Sequence, residues 1–248
     1  MNDAEFEALK QSDLSVVVGP YAAIGMVLVV IFILILITKI PSNKIENDGV
    51  SHAFGPSVKR LFANKSYREG VIAQFFYVGA QITCWTFIIQ YGTKVFMAEG
   101  IAEQTAEIMS QRLNIMAMVL FCGSRFLCTW LLKWFKPAKM LATFASIAIL
   151  LTIIVIAVGG RVGLYSLVAA SACMSLMFPT IYGLALKDVG PDAEIGSAGL
   201  IMAILGGSLL PPLQAMIIDA DYINFSFIIP TICFIIILLF GLRQIKNI

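Results

Sequence analysis

Gln74, Tyr77, Gln81 and Trp85 follow one another at spacings of three, four and four within Val71-Ile-Ala-Gln-Phe-Phe-Tyr-Val-Gly-Ala-Gln-Ile-Thr-Cys-Trp85. At about 100° per helical residue their side chains fall within roughly 80° of one another. They form one polar and aromatic stripe on an otherwise apolar helix. An amide both donates and accepts, and an aromatic ring packs against the C–H faces of a sugar, so the set suits a neutral, hydroxyl-rich solute better than an ion. The alternative is purely structural: amides on transmembrane helices also glue neighbouring helices together. Asn114 and Thr129 offer weaker versions of the same choice.

The surrounding elements must place this stripe in a membrane. Of 248 residues 59% are hydrophobic and 13% charged, with mean hydropathy +0.90. A water-soluble domain carries about 25% charged residues. Seven segments reach the roughly 20 apolar residues that cross a bilayer, near 19–39, 70–93, 113–133, 139–158, 162–186, 196–218 and 224–242. Hydrocarbon offers no partner for a free backbone group, so each is predicted to be a helix, and no barrel-like alternation is present. The expected fold class is an all-α polytopic membrane protein.

Charge placement orients it. One set of loops holds Lys39, Lys44, Lys59, Arg60, Lys65, Arg68, Lys133, Lys136, Lys139, Lys187, Arg243 and Lys246, while the opposite set holds Lys10, Lys94, Arg112 and Arg161. The positive-inside rule puts the linker and C-terminus in the cytoplasm and the N-terminus outside, in a multi-pass protein of the cytoplasmic membrane. The linker divides one helix from six, and Gly159-Gly160 divides the six into two triplets of opposite topology, an inverted 3+3 repeat. The predicted organisation is an acidic outer segment 1–18, a helix 19–40, a cytoplasmic linker 41–69 and a six-helix unit 70–248. The linker, with Gly49, His52, Gly55 and Pro56, reads as a tether with an amphipathic piece around Ser57–Leu61.

Arg125 is the one charge well inside a span; it either snorkels to the interface, lines a cavity or pairs with a carboxylate from elsewhere. Pro179, and Pro211-Pro212 after Gly206-Gly207, soften the fifth and sixth segments of the set. No Asp or Glu lies deep in any segment, so the chain supplies no intramembrane proton-binding carboxylate. The five cysteines lie in apolar segments without paired spacing and are expected to be buried free thiols. A lone His52, no GxSxG and no P-loop argue against an enzyme, and no metal, cofactor or nucleic-acid partner is expected.

Gly70-Val-Ile-Ala-Gln-Phe-Phe-Tyr-Val-Gly-Ala-Gln81, Phe178-Pro-Thr-Ile-Tyr182, and Ile195-Gly-Ser with Ile204-Leu-Gly-Gly-Ser-Leu-Leu-Pro211 resemble the L-fucose/proton symporter branch of the major facilitator superfamily. The likeness runs from about residue 5 to the end and matches the family's sixth to twelfth helices. Gln81 stands where the neighbouring glucose/galactose branch typically has Glu. The resemblance implies alternating-access uptake of a 6-deoxy sugar with a proton, between two six-helix halves. It places Phe121 and Phe178 at aromatic positions lining the sugar cavity. Phe178 departs from the tyrosine of the characterised bacterial symporter and lacks its hydroxyl. The carboxylates that the family ties to proton coupling and sugar binding belong to its first half.

The resulting expectation is a sugar/proton symport module with Gln74, Tyr77, Gln81, Trp85, Phe121 and Phe178 on its substrate wall, and Arg125 and Asn114 as further cavity or charge-pair candidates. Its partners would be L-fucose, protons, the lipid bilayer and an N-terminal half of five helices. The competing expectations are a membrane module that does not transport without that half, and a glucose/galactose-type carrier.

Overall fold

The computed structural model describes residues 3–38 and 54–246, and side chains from residue 18 onward except Phe54. Gly49 and His52 lie outside the described residues, as do the side chains of the acidic N-terminal stretch. Two units result. The first contains one helix, α1 (Asp3–Ile37). Its apolar part, Val18–Ile37, is long enough to span a membrane. The helix begins well before that span, within the stretch expected to be an acidic outer segment.

The second unit is built from α2 (Phe54–Ala63), α3 (Lys65–Ala98), α4 (Glu103–Leu131), α5 (Pro137–Ala157), α6 (Gly160–Met174), α7 (Met177–Leu186), α8 (Ala193–Met202), α9 (Gly206–Asp219), α10 (Ile223–Ser226) and α11 (Ile228–Lys246). Six further stretches are long and apolar enough to cross a membrane: Lys65–Ala98, Glu103–Leu131, Pro137–Ala157, Gly160–Leu186, Gly190–Asp219 and Ile223–Lys246. The seven segments read from sequence are all recovered, with ends shifted by several residues. Every regular element among the described residues is helical. The protein is an all-α, multi-pass membrane protein.

Two spans are interrupted. Between α6 and α7 the helix breaks at Ser175-Leu176. Pro179 explains the position, because it cannot donate to the carbonyl four residues back, that of Ser175, and its ring crowds that carbonyl. Between α8 and α9 the chain tightens to a 3₁₀ turn over Ala203–Leu205. That break precedes Gly206-Gly207, where softening was expected after the glycine pair. The reason lies in α3. A Cβ at Gly206 would collide with the Phe75 carbonyl oxygen, and one at Gly79 with the Leu210 side chain. Glycines let the α3 and α9 backbones touch there, and the tight turn delivers α9 to the contact.

Across the two triplets, α3 packs on α9 and α11, α6 packs on α4 and α5, and α5 lies along α11. These contacts map onto themselves when the triplets are exchanged. Tyr77, Tyr91, Leu164, Met174, Phe227 and Phe234 fill the centre with almost no exposure. Tyr91 meets Phe227 edge to face at 5.5 Å, and its hydroxyl donates to the Gly160 carbonyl at 3.2 Å. Gly159 and Gly160 have φ of +66° and +56°, a turn that side chains with a Cβ adopt only under strain.

Polar ties close both ends. At the end carrying α2, Arg60 pairs with Asp192 at 2.6 Å and Arg243 with Glu69 at 2.7 Å. At the opposite end, Arg161 grips Glu99 through two nitrogens, and Lys94 pairs with Asp221 at 2.5 Å. Arg161 also lies 5.7 Å over the Phe96 ring. Four of the cysteines are buried as expected; Cys122 is exposed, because most of α4 faces away from the bundle.

Candidate functional site

The stripe on α3 changes character along its length. Gln74 and Tyr77 are completely buried, while Gln81 and Trp85 are half-buried. Gln81 stands at the middle of α3. Toward the α2 end the stripe is therefore closed over by neighbours, and at mid-helix it opens.

Tyr77 is already engaged. Its hydroxyl donates to the Met174 carbonyl at 2.9 Å, at the end of α6, and its ring meets Phe178 edge to face at 6.0 Å. Phe178 in turn stacks on Tyr182 with centroids 6.4 Å apart and planes 10° apart. The ring column Tyr77, Phe178, Tyr182 thus brackets the break between α6 and α7. Gln74 differs: neither its Nε2 nor its Oε1 has a hydrogen-bond partner. Thr180 Oγ1 on α7 is likewise buried and unpartnered. Because α7 runs antiparallel to α3, with Met174 beside Tyr77 and Ala185 beside Gly70, Thr180 lies at the level of Gln74.

Two turns along α3 from Tyr77, Trp85 Nε1 donates to Ser171 Oγ on α6 at 3.3 Å. The indole also meets Phe121 of α4 edge to face at 5.0 Å. This fixes the register of α3 against α4. Arg125 lies one turn from Phe121 on the same face of α4, as Gln81 lies one turn from Trp85 on α3, so Arg125 and Gln81 share a level. Arg125 is exposed, and no carboxylate among the described residues pairs with it. Asn114, two turns the other way from Phe121, has a buried, unpartnered Oδ1.

The structure thus brings together Tyr77 with Phe178 and Trp85 with Phe121, and sets Gln81 and Arg125 level beside the second pair. It gives the Gln74 amide atoms and the Asn114 Oδ1 no hydrogen-bond partner. Three participants escape a reading of residue types. The Phe178-to-Tyr182 spacing of four is a signal of stacked rings on one helix face, whereas nothing local marks Ser171 or the Met174 carbonyl. Chemically, the open mid-helix portion offers one free amide, an aromatic corner and an unpaired guanidinium. It holds no carboxylate, hydroxyl–imidazole pair or cluster of metal ligands among the described residues. Recesses elsewhere include one of about 290 Å³ beside α2 and one of about 310 Å³ at the opposite end near Tyr91 and Glu99.

No family model matches the chain. It is 46% identical over 252 residues to an L-fucose-proton symporter of Haemophilus influenzae, covering 99% of this chain and 57% of that protein. An L-fucose-proton symporter of Escherichia coli is 36% identical, with 97% and 54% covered. A glucose/galactose transporter of Brucella abortus is 30% identical, with 98% and 57% covered. The crystal structure of the Escherichia coli fucose:proton symporter superposes with a TM-score of 0.82 at 34% identity, over 98% of this chain and 59% of that one. A second structure of a major facilitator superfamily transporter, in the outward conformation, gives 0.81. The chain spans a little over half the length of these relatives.

Proposed function

We propose that this chain, which belongs to the major facilitator superfamily and is similar to its L-fucose–proton symporters, forms the C-terminal side of a sugar cavity. The complete carrier would move L-fucose and a proton into the cell by alternating access. The other side of the cavity, and the carboxylate that takes up the proton, would come from residues matching the part of the relatives that this chain does not span. The excess of Lys and Arg at the α2 end supports a cytoplasmic location for that end. The exchange symmetry of the helix contacts supports an inverted 3+3 repeat, with the linker 41–69 joining the unit to the helix before it.

One observation carries the reading: Gln81 stands half-open at the middle of α3, with the Trp85–Phe121 corner one turn away. Its amide can accept from one sugar hydroxyl and donate to another, while the corner covers a C–H face. Arg125 adds a donor at the same level. Phe178 lines the neighbouring stretch, positioned by Tyr77. Gln74 and Asn114 hold amide groups in reserve for a state in which helices move apart. A glucose/galactose carrier is the second reading; the greater identity to fucose carriers and the neutral amide at position 81 speak against it.

The test is uptake of labelled L-fucose, L-galactose and D-galactose by cells producing the chain with the complementary five helices. L-fucose should be accumulated in preference, and Gln81→Leu should remove most of the uptake at equal protein level. Preferential accumulation of D-galactose would transfer the chain to the second reading.

A further inference from the structure

The recess beside α2 belongs to no part of the sugar wall. It has a volume of about 290 Å³ and is lined by Val58 and Phe62 of α2, Val71 of α3, and Ile195, Ala198 and Met202 of α8, among others. Its lining is almost wholly apolar, yet Phe62 and Met202 are 58% and 77% exposed. The recess therefore opens outward. Its walls are fixed: Arg60 bonds Asp192, Asn64 bonds the Asp188 carbonyl at 3.3 Å, and the Tyr67 hydroxyl donates to the Gly196 carbonyl at 2.9 Å.

Arg68 marks the rim, and Lys59 and Lys65 lie on the same two helices, α2 and α3. Lys59 neighbours Val58 and Phe62 on α2. Lys65, Arg68 and Val71 follow one another at spacings of three on α3. Arg68 Nη1 reaches the Phe62 carbonyl at 3.5 Å, at the rim. All three cations are exposed, and no carboxylate among the described residues pairs with them. Arg60, by contrast, is engaged by Asp192. An apolar slot at a membrane end, edged by unpaired positive charge, matches an amphiphile with a hydrocarbon tail and an anionic head.

We propose that this recess binds one anionic phospholipid of the adjacent leaflet, an acyl chain entering between α2, α3 and α8 and the phosphate resting on Lys59, Lys65 and Arg68. Charge complementarity selects this occupant over a polypeptide helix, whose apolar face would leave the three cations unused. The bound lipid would hold α2 against the bundle.

The experiment is native mass spectrometry of the full chain released from bilayer discs of equal phosphatidylglycerol and phosphatidylethanolamine. Two variants accompany it: Lys59→Gln/Lys65→Gln/Arg68→Gln, which lies on the surface, and Ala198→Phe, which fills the slot. Wild type should retain phosphatidylglycerol over phosphatidylethanolamine by about fivefold or more, since each cation near an anionic surface contributes about that factor. The charge variant should lose the preference while keeping some lipid, and the filled variant should lose retained lipid of both kinds. Equal retention of both lipids by wild type, no retained lipid because residues 39–53 or another polypeptide occupy the slot, or an unaltered preference in the charge variant would each overturn the proposal.

Discussion

The Tyr77 hydroxyl reaches across from α3 to donate to the Met174 carbonyl, at the last residue of α6. A side chain expected on the substrate wall also holds the junction at which the span is interrupted. Its ring passes that constraint to Phe178. Replacing Tyr77 by Phe keeps the ring contact and removes the donor, leaving a buried carbonyl short of a partner. We expect a loss of about 1–3 kcal/mol, read as a lower midpoint of thermal unfolding in mild detergent, with a smaller change in sugar affinity. A larger effect on affinity than on stability would show that the hydroxyl serves the ligand directly.

Gln74 gives the opposite expectation. Both of its amide atoms are buried without partners, and an unpaired buried polar group costs about 1–3 kcal/mol. Gln74→Leu should therefore leave stability unchanged or raise it, while weakening L-fucose-dependent stabilisation of the complemented carrier. Unfolding measured with and without the sugar separates the two effects. A destabilised variant would mean that the amide has a structural role.

The α3–α9 contact has a built-in control. Gly206→Ala places a methyl group against the Phe75 backbone carbonyl, and overpacking of this kind costs about 1–3 kcal/mol. A methyl group added at Gly123 on α4 would meet nothing within 4 Å, so Gly123→Ala should be neutral or slightly stabilising. Thermal midpoints of the pair should differ in that direction; equal midpoints would contradict a backbone contact at Gly206.

At the end opposite α2, the hydrogen bond from Arg161 holds the Glu99 carboxyl below its ordinary range, and the bond from Lys94 does the same for Asp221. A depressed folded-state pKa contributes stability above the unfolded value, about 4 for such groups, and that contribution is lost as pH falls through the folded value. Stability should thus be flat above about pH 5 and decline below about pH 4. Glu99→Gln/Asp221→Asn should flatten the decline, which hydrogen exchange at the Ala98–Glu103 turn can follow. An identical slope in the double variant would show that other carboxylates control it.

The spans were legible because hydrocarbon leaves an apolar run of this length no alternative to a helix. The amphipathic piece near Ser57–Leu61 was legible for a related reason, since its charges and apolar residues separate on one turn, and it is α2. The break before α7 followed from Pro179. What stayed hidden depends on distant partners. Met174 is 97 residues from Tyr77 and Ser171 is 86 from Trp85, and no local pattern announces either bond. The tight turn at Ala203–Leu205 likewise answers to Phe75 on another helix. Burial of Gln74 beside half-open Gln81 could not be read from a stripe that looks uniform on a helical wheel.

The most direct test is proton-driven accumulation of labelled L-fucose, compared among cells producing this chain alone, the chain with the complementary five helices, and that pair carrying Gln81→Leu. Accumulation is expected only in the complemented cells, abolished by a protonophore, and about tenfold less in the variant than in wild type, the worth of a hydrogen bond of about 1.4 kcal/mol. Accumulation by the chain alone, or an undiminished rate with Gln81→Leu at equal membrane abundance, would contradict a sugar wall centred on Gln81 and completed by the other half.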